Sequence, residues 1–120
     1  QGTRGEPFDI AHEGWGADYP DPSNFINVLL QGTRLQATNN NNTSYFNEAQ
    51  WNRRMESAYR LGGANRLRTY GQLDIDMMRT AAPMAPYINT NNRSFVGQDV
   101  GCYTFAPVHG SVNLVAVCKK

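Results

Sequence analysis

The sequence predicts a small mixed α/β (α+β) unit, on three observations. Two segments carry apolar residues at helical spacing, the residues around 102–117 alternate like paired strands, and the stretches between are dense in Gly, Pro, Asn and Asp. With 40% hydrophobic residues in 120 there is material for one modest core, and 18% charge is too little for intrinsic disorder. Eleven Lys and Arg against ten Asp and Glu leave a net charge of +1, so no field of one sign favours nucleic acid or an anionic membrane. No apolar run approaches the roughly 20 residues of a membrane-spanning helix.

Residues 6–13 alternate, with Phe8, Ile10 and His12 on one side and Asp9 and Ala11 on the other, and are read as a short strand. The following GWGADYPDPSNF is a loop by every turn signal. Ser23 or Asn24 is the expected cap of a short helix through residues 25–32, with Gly32 as its stop. Residues 36–47 hold four consecutive asparagines, Asn39 to Asn42, and are expected to be the softest part of the chain, a surface loop. Residues 48–61 are helical in pattern, with Trp51, Met55, Ala58 and Tyr59 on one stripe and Gly62–Gly63 as the end. Asn65 is the expected cap of a further helix to Ala81, whose apolar face is Leu67, Tyr70, Leu73 and Met77, and Pro83 stops it. Residues 84–89 are extended in character and a polar stretch follows. Residues 102–107 and 111–117 then read as two strands.

Residue 1 is Gln, and nothing like a signal peptide follows, so the simplest reading is a piece of a longer chain. Cys102 and Cys118 are the two cysteines. A hairpin centred on Gly110 would set them opposite each other, eight residues to either side, and a disulfide there would imply an oxidising compartment. The alternative is two buried thiols acting as small hydrophobes.

Catalytic chemistry is mostly missing from the sequence. It holds no metal-ligand spacing, no phosphate-binding glycine loop and no recognisable nucleophile–base pair, so neither catalytic residues, nor a metal, nor a cofactor are expected. His12 reads as a hydrogen-bonded structural histidine and His109 as a turn residue. Asp74 and Asp76, two apart in a helix, read as a solvated face, as do Arg53, Arg54, Arg60, Arg66 and Arg68. The segment from Trp15 to Pro22 breaks this pattern. It puts a large aromatic, bare backbone and two acids on a rigid turn. Trp15 either walls a pocket or joins the core. Gly16 lets a ligand approach the main chain. Asp18, between Trp15 and Tyr19, is expected to be partly desolvated and to want a cation, either a ligand's or an arginine of the same chain. Asp21, between two prolines, reads as a turn or cap residue.

Those residues resemble a known family. Trp15 to Phe25 follows W-x-A-D-Y-x-D-P-x-x-F. An Asn-rich loop (Asn39 to Asn47), a helix with a short basic stretch (Trp51 to Tyr59), an R-x-x-x-Y helix (Arg66 to Tyr70) and a P-x-x-P segment (Pro83 to Pro86) come after it in order. The order is similar to the C-terminal region of bacterial extracellular solute-binding proteins, family 5, the oligopeptide and dipeptide receptors of ABC importers. The tail with Cys102 and Cys118 resembles the actinobacterial branch.

The resemblance implies a C-terminal piece of a two-lobed, periplasmic-binding-protein type II fold, not an enzyme. Residues 1–92 would close the second lobe, and residues 93–120 would return to the first as a β-hairpin. Trp15, Gly16, Ala17, Asp18 and Tyr19 would form part of the ligand site, with Asp18 on the α-ammonium group of a peptide and the backbone of residues 14–17 along it. The implied partners are a peptide or other small solute, the membrane permease subunits and the rest of the full-length chain, with no nucleic acid. The implied location is extracellular or periplasmic, as a lipoprotein. Receptors of the same family for nickel complexes, sugars or other solutes share parts of the motif. An independent interaction module is the reading from a different class.

Overall fold

The computed structural model describes residues 2–7 and 9–120. The described residues are α+β, with three helices, two antiparallel two-stranded sheets and one disulfide among them. It divides into two compact units. The first comprises the described residues up to Trp15 together with Asp21–Pro86, and the second Gly16–Pro20 together with Tyr87–Lys120.

The first unit contains α1 (Ile26–Leu30), α2 (Ala49–Tyr59) and α3 (Gly63–Thr80). Its core is Ile26 and Leu30 from α1, Trp51, Met55 and Ala58 from α2, and Tyr70, Leu73 and Met77 from α3. Two residues of the expected stripes lie outside it. Tyr59 is 48% and Leu67 60% exposed. A helix turns about 100° per residue, so Leu67 sits roughly 120° around from Leu73, and Tyr59 roughly 80° around from Trp51. A three- or four-residue step keeps neighbours together, but repeated in one direction it drifts off the buried face.

Helix starts also differ from expectation. Neither Ser23 nor Asn24 caps α1. Asp21 instead accepts from the Ser23 amide at 2.9 Å and caps a 3-10 turn, Pro22–Asn24, that leads into the helix. Asn24 is fully buried, and its side chain accepts a bond from elsewhere. Helix α3 begins after Gly62, ahead of Asn65. Gly32 is not a left-handed stop. It opens a second 3-10 turn, and a side chain there would sit 2.5 Å from the Asn47 Cα, so the site needs glycine for close approach of two backbones.

The expected strand over residues 6–13 is not formed by the residues described, and Phe8 lies outside them. Ile10 is 93% exposed. Alternation makes a strand only where a neighbour takes up its backbone groups, and among the described residues none pairs with this segment.

The second unit contains β1 (Val100–Gly101), β2 (Phe105–Ala106), β3 (Ser111–Val112) and β4 (Cys118–Lys119). Strands β2 and β3 form a hairpin, Phe105 opposite Val112, whose turn uses Gly110 at φ +58°. Strands β1 and β4 close the outer end, with Cys118 opposite Gly101. Cys102 and Cys118 are therefore diagonal neighbours, bonded with their Cα atoms 5.3 Å apart. The predicted strands are longer than these. Pro107 cannot donate to a ladder, and residues 114–116 form a turn closed by the Ala116 amide on the Asn113 carbonyl at 3.1 Å. The chain-entropy model assigns a loop of this length about 3 kcal/mol of stabilisation.

Replacing the buried Met77 with alanine should cost about 2–5 kcal/mol, whereas Leu67→Ala should stay within about 0.5 kcal/mol. Urea unfolding followed by far-ultraviolet circular dichroism checks both. Equal losses would mean that the buried face has been misassigned.

Candidate functional site

The segment singled out by the sequence begins at Trp15, which is half-buried. Its indole Nε1 donates to Asn24 Oδ1 at 3.0 Å, so the ring is pinned by the residue that precedes α1 by two. Trp15 belongs to the first unit and Gly16, Ala17, Asp18 and Tyr19 to the second. Ala17 is half-buried, while Gly16, Asp18 and Tyr19 are exposed. The expectation of a partly desolvated Asp18 is thus corrected, since Asp18 is exposed. A Cβ at Gly14 or Gly16 would meet nothing within 4 Å.

The strongest electrostatic feature lies three residues further on. Arg66, from the first turns of α3, meets Asp21 with two parallel bonds, Nε to Oδ2 at 2.8 Å and Nη2 to Oδ1 at 2.7 Å. Its Nη1 donates to the carbonyls of Ala58, Tyr59 and Leu61, the end of α2, where unpaired carbonyls and the negative pole of the helix favour a cation. The guanidinium also lies 5.1 Å from the Tyr59 ring centroid and 5.0 Å from that of Tyr70. The arginine side chain is only 14% exposed and the aspartate 28%. Hydrogen bonds from Arg66 hold the Asp21 carboxyl well below the usual carboxylate range, and the same bonds raise Arg66 further.

Sequence reasoning placed Asp21 as a cap, and missed Arg66, which it read as a solvated face. The two are 45 residues apart, and no local spacing links them. It also read Asp76 as solvated, although Arg54 Nη2 reaches its Oδ2 at 2.5 Å and holds that carboxyl below its ordinary value. This pair is largely exposed and contributes little to stability.

A set of buried amides surrounds the core. Asn27 accepts from the Tyr70 hydroxyl at 2.6 Å and donates to Gln31 at 2.9 Å. Asn52 accepts from the Gly32 amide at 2.9 Å and donates to Asn47 Oδ1 at 2.8 Å. The asparagine run, expected to be soft, is partly buried. Asn40 accepts from the Gln36 amide and donates to the Gln36 and Gly2 carbonyls, and Asn42 exchanges bonds with the Phe46 backbone. These amides replace backbone partners that a loop lacks.

Two of the clefts among the described residues belong to this unit. One, of about 410 Å³, is lined by Gln50, Arg53, Arg54, Ser57, Thr69 and Leu73 of α2 and α3. The other, of about 250 Å³, is lined by Val28, Arg34, Gln36 and Asn39 to Asn42. Neither carries a nucleophile–base pair, and neither includes the segment from Trp15 to Tyr19. Among the described residues no group of three or more His, Cys, Asp or Glu is placed to hold a metal ion, and no helix is long and apolar enough to cross a membrane. No protein-family model, curated protein or solved structure matches this chain.

Asp21→Asn should destabilise the protein by about 2–3 kcal/mol at neutral pH, and Arg66→Lys should recover little, because a point charge cannot reproduce the fork. A depressed native pKa means stabilisation that is present above the unfolded value of about 4 and is lost as pH falls through the native value. The gap in urea midpoint between wild type and Asp21→Asn should therefore hold from neutral pH down to about 4 and narrow below it. A gap unchanged into strong acid would show that the carboxylate's charge is not what stabilises.

Proposed function

We propose that this chain is the closing part of an extracellular solute-binding receptor of family 5, which captures oligopeptides or dipeptides and delivers them to an ABC permease. The observation that carries the reading is the W-x-A-D-Y-x-D-P-x-x-F segment from Trp15 to Phe25, followed in order by the Asn-rich loop, the two helices and the P-x-x-P segment. The exposure of Asp18, together with the contacts of Trp15 and Asp21, bears on their proposed roles. Trp15 is engaged with Asn24, and Asp21 with Ser23 and Arg66, which suits them to hold the turn. Asp18 is exposed and follows open glycine backbone, which suits it to a ligand.

In this reading the ligand's α-ammonium group is held by Asp18, and the extended peptide runs along the main chain of residues 14–17. Main-chain bonds give affinity without reading side chains, in keeping with a receptor of broad specificity. An exposed carboxylate in water binds an ammonium weakly. The opposing lobe, closing over the ligand, excludes that water and strengthens the pair. Tyr19 walls the same site. The protein performs no chemistry on its cargo and needs no cofactor. The Cys102–Cys118 bond accords with a location outside the cytoplasm, extracellular or periplasmic, with a lipid anchor on the full-length receptor.

Calorimetry on the full-length receptor tests this. Asp18→Asn should weaken peptides with a free amino terminus by more than about tenfold, and barely change the same peptides acetylated there. Asp21→Asn should lower stability without separating the two kinds of peptide. If Asp18→Asn weakens both equally, the residue is structural. If the receptor ignores peptides and binds an uncharged solute, the peptide reading fails.

A further inference from the structure

The second unit holds its shape with almost no burial. Among the described residues none from 87 to 120 is buried, and Phe95, Leu114 and Val115 are 96%, 82% and 97% exposed. Each of its sheets consists of two residue pairs. Isolated two-stranded ribbons are marginal in water even when longer than these. The remaining links are single bonds, such as Lys120 N–H to the Asp99 carbonyl at 2.9 Å, Asn113 N–H to the Thr104 carbonyl at 2.9 Å, and the Asn92 amide to the Gly110 carbonyl at 3.1 Å. Against these stands one covalent bond, Cys102–Cys118, which closes the loop containing β2 and β3 directly beside the β1–β4 pair. Its chain-entropy contribution corresponds to about a hundredfold in a folding equilibrium, and no other contact in the unit approaches that.

Cys102 and Cys118 are both exposed residues, and thiol–disulfide exchange needs access to a sulfur. Cys102 also has φ +55°, a conformation that residues other than glycine seldom adopt. Among the described residues the eight buried apolar ones all lie between Ile26 and Met77, outside the loop that this bond closes.

We propose that the Cys102–Cys118 bond is a redox switch for the C-terminal unit, which is folded when the bond is oxidised and unfolded when a dithiol reduces it, while the helical unit stays folded. A thiolate of the dithiol attacks one sulfur, the S–S bond breaks, and the other cysteine leaves as a thiolate. The second thiol then resolves the mixed disulfide. Two electrons pass from the dithiol, which becomes a disulfide, and its two protons end on Cys102 and Cys118.

Hydrogen exchange read by mass spectrometry on the full chain tests the switch, before and after dithiothreitol at neutral pH without denaturant. Alkylation of one portion counts the thiols released. Both cysteines should alkylate, amides within residues 99–120 should exchange about a hundredfold faster after reduction, and those of α2 and α3 should change less than about twofold. Reoxidation of the unalkylated portion should restore protection, and a Cys102→Ser/Cys118→Ser chain should match the reduced one. Four results would each overturn the proposal. They are a bond that resists the dithiol without denaturant, a reduced or double-serine tail that keeps its protection, an oxidised tail with no protection to lose, and helices that open together with it.

Discussion

The guanidinium of Arg66 donates to both oxygens of Asp21 and to the carbonyls of Ala58, Tyr59 and Leu61, so the turn before α1, the end of α2 and the start of α3 share one charged group. Taking an arginine out of water is costly unless its donors find partners, and here all three nitrogens do. The planar fork sets the angle at which the turn meets α3, and the Tyr59 and Tyr70 rings cover its faces. Within the same unit Trp15 donates to Asn24, and Asn27 of α1 accepts from the Tyr70 hydroxyl of α3. The ends of α2 and α3 and the turn from Asp21 to Asn24 are joined through the same contact.

The two units solve the stability problem by different means. In the first, eight apolar side chains from three helices exclude water and a ring of amides satisfies the loops. In the second, apolar side chains are left outside and a covalent tether limits the unfolded chain instead. Small structures that cannot bury enough surface commonly depend on such a staple.

The helices were legible because periodicity records burial directly, and Trp51, Met55, Tyr70, Leu73 and Met77 stand where the spacing put them. Their edges were less so. Leu67 and Tyr59 match a neighbour's spacing yet drift off the buried face, a rotation that only the sum over several residues reveals. The strand over residues 6–13 failed for another reason, since alternation says nothing about whether a partner exists. Within the candidate site, Asp21's role as a cap could be read from its prolines. Its pairing with Arg66 could not, because the contact is made by the packing of α3 and leaves no local trace. The asparagines were misjudged by type. Composition cannot distinguish an amide facing solvent from one that completes a loop's hydrogen bonds, and Asn40 and Asn42 are of the second kind.

The completeness with which Asn40 is bonded also bears on how the molecule ages. Its Nδ2 donates to two carbonyls at once, those of Gln36 and Gly2. Slow hydrolysis of an asparagine amide exchanges that nitrogen for an oxygen, and asparagine is among the residues that heat attacks first. An aspartate at this position would turn lone pairs toward both carbonyls, with no proton to share at neutral pH. The chemistry that passes unnoticed at an exposed asparagine would here break a loop from within, because the same side chain bonds Gln36 and Gly2 at once.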